Sequence, residues 1–473
     1  MKDFKIDKKL QDHLNETGHK LKSRRDFLSH GLIAFGAMVS FPSLLGMGYR
    51  RALSECGGGQ GPTMTPFMAF DMAGGASMPA NFLAGGRGGP EDLIQSYNLL
   101  GWDPRQTGAL NTEMGLPMSA RYSKMLEGIL ATTTPEARRN FRMGSICHFA
   151  QDDTSGNKLN AACLILRAGY RGTFITNGMG LQNSLSGGNS APCVDNNALK
   201  PTFINSVDAA LGATSFGGPS FQGVPVPKLR AMAEGQVDLS RLQKQLYLEN
   251  PGGDTMADLS KCAYERSLDF LNGVSGIDPR TDAIAQQVYG INQNTPASDM
   301  NAILATLSMN TIKGQAGPSV YTLGGCDYHD GTATTGDAKD RAMGVEIGRA
   351  VQLAHRYQKP FFFQLLTDGG CGATSGTRNW SSDSGDKCMT ILGYYNPAGA
   401  PRMIRQQVGH YTNGQGAERT TLIGSEPLLV GYAVLANYLN INGKLNQFHE
   451  YAPGVFTGAG QLDSVLLFEG GQT

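Results

Sequence analysis

Ser319-Val-Tyr-Thr-Leu-Gly-Gly-Cys-Asp-Tyr-His329 and Phe361-Phe-Phe-Gln-Leu-Leu-Thr-Asp-Gly-Gly370 are the two stretches that decide the fold. Each is a short apolar run that stops at a glycine pair, the pattern of a buried strand entering a tight turn. Between them a helix is predicted over about 338–357, leading through Lys359-Pro360 into the second strand. Strand, glycine turn, helix and strand again is the unit of a parallel sheet.

Outward from that unit the pattern repeats. Pro66-Phe-Met-Ala-Phe-Asp71 reads as a strand ending in the glycine loop that holds Ser77. Helical patterns follow near 91–100 and 117–131. A strand is predicted at Arg142–His148, a helix from about Lys158 to Ala168, and a strand at Thr173–Thr176. Residues 178–225 are rich in Gly, Ser, Asn and Pro and read as loops. From 227 to 309 apolar residues return at helical spacing, in Leu239–Leu248, Asp258–Leu271 and Ala283–Val288. A short strand at Met389–Leu392 and a closing helix at Pro427–Tyr438 complete the reading. The expected fold is α/β, a three-layer α/β/α body over residues 62–473 with a central, mostly parallel sheet. A loop-rich and largely helical insertion occupies about 178–310.

The chain has 473 residues, with 40 Lys and Arg against 40 Asp and Glu. Residues 1–54 hold ten of the basic and five of the acidic ones, so the rest is mildly acidic at 30 against 35. That balance leaves no basic stripe for nucleic acid or anionic lipid. Past residue 54 no apolar run reaches membrane-spanning length. Neither a nucleic-acid partner nor a membrane span in the mature body is expected.

Ser23-Arg24-Arg25-Asp26-Phe27-Leu28, followed by the apolar stretch from Gly31 to Gly48, resembles a bacterial twin-arginine export signal. A short anchor behind a basic patch is the other reading, since roughly 18 residues just span a bilayer. Gly31, Gly36, Pro42, Gly46 and Gly48 count against the anchor. Ala52-Leu53-Ser54 offers small residues to a signal peptidase, beside Arg50 and Arg51. Residues 1–54 are thus expected to be a twin-arginine signal peptide or anchor. The twin-arginine translocase would be the partner during export, and the protein would be periplasmic or secreted. All eight cysteines follow the leader, with no CxxC spacing. A cysteine zinc site is disfavoured, and one to three disulfides beside buried thiols are expected.

Several candidates fall at strand ends, where open α/β sheets bind ligands. Asp327 and His329 alternate in an extended segment and point the same way, so a carboxylate and an imidazole can converge on one metal. A plain turn with Asp327 capping backbone amides explains the same residues. Asp368 follows the next strand, and neighbouring parallel strands would bring the two loops together. His148 through Asn157 runs into a helix, where Thr154 or Ser155 is either a metal-activated nucleophile or an N-cap. Ser77 in Gly74-Gly75-Ala76-Ser77 binds an anion through the backbone or turns the chain. Asp383 lies in a polar segment ahead of Met389. There is no GxSxG elbow, Walker loop or dinucleotide fingerprint.

Most of the chain after the leader is similar to the twin-arginine-exported domain-of-unknown-function family 1501, in the alkaline phosphatase and sulfatase superfamily. The points of resemblance run in order. Gly74-Gly75-Ala76-Ser77 stands for the family's first glycine motif, and His148 through Asn157 for its middle segment. Gly324-Gly325-Cys326-Asp327-Tyr328-His329 stands for Gly-Gly-Phe-Asp-Thr-His. Thr367-Asp368-Gly369-Gly370 matches its Ser/Thr-Glu-Phe-Gly, and Asp383-Ser384 its final Asp-His. The departures are Ser77 and Ala80 where an acidic residue is expected, Ser384 in place of histidine, and a middle segment thinned of histidines. The resemblance implies an alkaline phosphatase-like fold and an exported, sulfatase-like hydrolase of phosphate or sulfate esters. One divalent metal (zinc, manganese, iron or calcium) would sit on Asp327, His329, Asp368 and Asp383, with Ser77, Thr154 or Ser155 as nucleophile. The thinned ligand set leaves a second reading open, a non-catalytic binding or assembly component of the cell envelope on the same fold. A carbohydrate- or peptide-binding surface on 178–225 is a third.

Overall fold

Phe67–Met72 (β1) is buried along its whole length and stands inside an eight-stranded sheet. The structure, a computed structural model, describes residues 64–150, 159–170, 172–178, 201–214, 278–330, 333–367, 369–383, 385–424 and 426–471. All of them belong to one compact unit.

After β1 come the ribbon strands β2 (Leu110–Asn111) and β3 (Met118–Ser119), helices α1 (Lys124–Thr132) and α2 (Pro135–Arg139), and β4 (Phe141–His148). Helix α3 (Ala162–Arg167), β5 (Ile175–Thr176), β6 (Thr202–Phe203) and helices α4 (Val207–Thr214), α5 (Ala283–Tyr289) and α6 (Met300–Ile312) follow. Then come β7 (Ser319–Leu323), α7 (Ala333–Tyr357), β8 (Phe361–Thr367), the ribbon β9 (Cys371–Ala373) and β10 (Trp380–Asp383), β11 (Cys388–Tyr395) and β12 (Gln407–Val408). Helices α8 (Pro427–Ile441), α9 (Phe448–Tyr451) and α10 (Gln461–Ser464) close the described chain.

The central sheet has the order β12-β4-β11-β8-β1-β7-β5-β6. Strand β11 is antiparallel to both neighbours, and every other neighbouring pair is parallel. The sheet is therefore mostly parallel, as expected. Its apolar runs are continuous because both faces are covered. Along β8, Phe361, Phe363 and Leu365 join a core with α1, α6 and α7. Phe362 and Leu366 join the opposite core with α3 and α8. Period-two alternation thus feeds a helical layer on each face.

Several expected boundaries move. Residues 91–100 form turns, not a helix: Ile94, Tyr97 and Leu100 are buried, but remote side chains hold the backbone. Gln95 N donates to Asn413 Oδ1 at 3.0 Å and Leu99 N to Gln415 Oε1 at 2.7 Å. The 117–131 helix begins only at Lys124, after β3 and the N-cap Ser123, whose Oγ accepts from Leu126 N at 3.0 Å. Helix α3 starts late because the buried Gln364 amide ties Ala161 N and Leu159 O at 3.0 and 2.8 Å. The strand expected at Met389–Leu392 is β11, twice as long as foreseen and antiparallel, and α8 is followed by two short helices. Within the 178–310 stretch, β6 joins the central sheet and α6 is buried along most of its length; residues 179–200 and 215–277 lie outside the described residues.

Cys163 is disulfide-bonded, while Cys147, Cys326, Cys371 and Cys388 are buried thiols. No helix among the described residues is long and apolar enough to cross a membrane.

Candidate functional site

β7, β1 and β8 run parallel, so their carboxyl ends share one edge of the sheet. β1 lies between the other two, so the loops after β7 and β8 flank the β1 turn instead of meeting as direct neighbours. The separation is two strand spacings, roughly 10 Å. The three ends are tied by their backbones. Gly74, at φ +120°, approaches so closely that a Cβ there would lie 2.6 Å from Asp327 N. Cys326 N donates to Ala73 O at 3.0 Å, and Tyr328 N to Gly75 O at 3.3 Å. On the other side the Thr367 hydroxyl donates to Gly74 O at 2.5 Å and accepts from Ala76 N at 3.1 Å.

On this edge Asp327 and His329 come together, although not through the extended segment expected: Tyr328–Asp330 is a 3₁₀ turn that follows directly on Asp327. His329 Nε2 and Asp327 Oδ2 are 2.8 Å apart, with side chains 48 and 46% exposed. The pair is open to solvent while the tyrosine between them, Tyr328, is buried. That spacing is a hydrogen-bonded ion pair; the ligands of a tetrahedral ion bonded at about 2.0–2.1 Å stand roughly 3.3 Å apart, so the two side chains would part by about half an ångström to take one. Their chemistry fits zinc, manganese or iron, and calcium, an oxygen-liganded ion, least.

The other candidates stand as follows. Ser77 is 1% exposed, N-caps the short 3₁₀ turn Met78–Ala80 without a side-chain capping bond, and its Oγ has no partner. Asp383 ends β10, its backbone opposite Cys371. Thr154, Ser155 and Asp368 lie outside the described residues. Among the described residues no group of three or more His, Cys, Asp or Glu side chains gathers as metal ligands. His148 is a satisfied core residue: Nδ1 donates to the Phe149 carbonyl and Nε2 accepts from the Thr390 hydroxyl, both at 3.0 Å. Burial pushes its pKa down to about 4, so the imidazole is neutral. Asp71, buried in β1, accepts from the Thr322 hydroxyl at 3.3 Å.

The sequence reading missed a buried polar network directly behind the pair. The Tyr328 hydroxyl donates to Asp340 Oδ1 at 2.8 Å, and the Asn81 side chain faces the same carboxyl group. Burial raises Asp340 to about 7, while Asn81, Tyr328 and Arg378 favour its charged form. Asn81 Oδ1 accepts from Ser123 Oγ at 2.7 Å, which leaves its Nδ2 to face the Asp340 carboxylate. Arg378 pairs with Asp337 at 2.5 Å and lies over the Trp380 ring, 5.7 Å from its centroid. One signal was in the sequence: Asp340 occupies the helical stripe that continues through Met343, Ile347, Val351 and Ala354, where a charge is out of place. Set against known proteins, the chain matches no family model and no curated relative.

Proposed function

We propose that this chain is an exported, metal-dependent hydrolase-like protein acting on phosphate or sulfate esters at the carboxyl edge of β1, β7 and β8. The observation that carries the reading is the solvent-open Asp327–His329 pair at 2.8 Å, on the edge where such sheets take ligands. The mostly parallel sheet with both faces covered is compatible with an alkaline phosphatase-like fold, which remains part of the proposal. Export by the twin-arginine translocase to the periplasm or beyond rests on Arg24, Arg25 and the apolar stretch behind them.

Asp327 and His329 would hold one divalent ion, and Asp368 and Asp383 would complete the set by reaching across the β1 turn that separates the two loops. The ion would supply Lewis-acid polarisation of the ester oxygens. The residues themselves do the rest. Tyr328 fixes the turn from behind, and the Gly74 turn packs on the Asp327 backbone, so the backbone that carries both ligands is ordered before binding. A second reading, a non-catalytic envelope component on the same fold, is favoured by the burial of Ser77: it is 1% exposed, unlike a working nucleophile.

Metal content of the purified full chain tests the proposal, beside an Asp327→Ala, His329→Ala variant. About one zinc, manganese or iron per chain, lost in the variant together with hydrolysis of nitrophenyl phosphate or sulfate, is expected. Metal without turnover selects the second reading. No metal, or metal kept by the variant, overturns the site.

A further inference from the structure

We propose that Asp340 is a positioning residue for the 327–329 turn, a protonation-sensitive latch that acts through Tyr328. Tyr328 lies between the two candidate ligands in the chain, is fully buried, and has its hydroxyl on Asp340 Oδ1 at 2.8 Å. Whatever fixes Tyr328 therefore fixes where Asp327 and His329 emerge. Asp340 sits two turns into α7, so the latch joins that helix to the turn at the end of β7.

The groups around Asp340 come from four elements. Tyr328 faces it from the 327–329 turn, Asn81 from the loop after Met78–Ala80, Arg378 from the segment before β10, and Asp337 from α7 itself. Arg378 pairs with Asp337 and draws Asp340 toward its charged form only at a distance. The ionised carboxylate receives a charge-assisted bond from Tyr328 and attracts the Asn81 amide. The neutral acid holds Tyr328 by an ordinary hydrogen bond. Burial opposes ionisation, and the balance falls at about 7. With Asp340 itself kept buried, release of Tyr328 is accordingly harder above that pH than below it, the opposite sign to global unfolding, which hydrates Asp340.

A reporter is built in. Trp380 lies against Tyr328, ring centroids 6.3 Å apart at 32°, and its buried Nε1 has no partner. Gly336 on α7 makes room for both rings: a Cβ there would stand 2.8 Å from Trp380 Nε1 and 3.1 Å from Tyr328 Cδ2.

The test uses the full chain. Trp102→Phe leaves Trp380 as the one tryptophan, since the sequence has two. Its emission is expected to change in one sigmoidal step between about pH 5 and about pH 9, with a midpoint near that of Asp340. Asp340→Asn abolishes the step. Tyr328→Phe, which removes a bond favouring the carboxylate, moves it upward. Fluorine NMR of the protein labelled with 5-fluorotryptophan gives the same reading without Trp102→Phe, should that variant not fold. Exchange protection of the amides at 326–330 should rise roughly five- to tenfold across the same step, the margin between a charge-assisted and a neutral hydrogen bond. That rise should vanish in Asp340→Asn. A step or a protection change that survives Asp340→Asn, or no step in the parent, overturns the latch. Its bearing on catalysis rests on reading Asp327 and His329 as metal ligands, but these measurements need no metal, so the two ideas can fail separately.

Discussion

Acidification titrates two fully buried groups in opposite senses. His148 is pushed from 6.5 down to about 4, chiefly by desolvation, against a weaker pull from the Phe149 carbonyl. The unfolded chain takes up this proton near pH 6.5 while the folded one refuses it, so acid favours unfolding. Between about pH 7.5 and about pH 4.5 the linkage amounts to about 2.5 kcal/mol of lost stability. Asp340 is raised from 3.8 to about 7, chiefly by desolvation. Here the unfolded carboxyl ionises first as pH rises, so the folded state is penalised at high pH and relieved by acid. Over the same window the relief is about 3 kcal/mol. The two effects nearly cancel in the parent, which hides both. His148→Gln keeps an acceptor for Thr390 and should gain about 3 kcal/mol relative to itself on acidification. Asp340→Asn keeps an acceptor for Tyr328 and should lose about 2.5 kcal/mol. Urea unfolding at the two pH values, followed by far-UV circular dichroism, measures the contrast. Exposed carboxylates are common to both variants and drop out of the comparison. Variants that respond to pH within about 1 kcal/mol of each other would refute the assignment of these two groups.

Two further substitutions probe the packing. Helices α1 and α7 approach so closely that a Cβ at Gly344 would fall 2.1 Å from the Met125 carbonyl oxygen. Gly344→Ala gains about 1 kcal/mol of helix propensity but meets overpacking of about 1–3 kcal/mol or more, so thermal unfolding should shift downward; unchanged unfolding would contradict so close a helix contact. Ser77→Ala removes a buried hydroxyl without a partner and should leave stability unchanged or raise it by about 1 kcal/mol. Any ester hydrolysis should survive that change, and its loss would make Ser77 the nucleophile.

Much of the scaffold was legible because period-two burial writes itself into composition. Ser319–Leu323 was found at its observed bounds, and β1, β4 and β8 within a residue or so. What failed was whatever depends on remote partners. The 91–100 segment has the apolar spacing of a helix, yet Asn413 and Gln415 take its amide hydrogens. The direction of β11 was invisible, because a strand buried on both faces looks the same either way. The site shows the same division. Asp327 and His329 do meet, but on a 3₁₀ turn and not by the alternation of an extended segment, and the insertion of β1 between β7 and β8 separates loops expected to touch. Asp340 went unnoticed because its partners Tyr328, Asn81 and Arg378 come from three other parts of the chain.

The position of β1 also sets a timetable. It is the first strand of the described body, yet its neighbours β7 and β8 follow it by about 250 and 295 residues, a high contact order. During synthesis Phe67–Met72 emerges with neither flank paired, a bare apolar ribbon that must wait for most of the polypeptide. The heart of this sheet is therefore assembled late, and Phe67–Met72 stays an unpaired, aggregation-prone edge until Thr367 has left the ribosome.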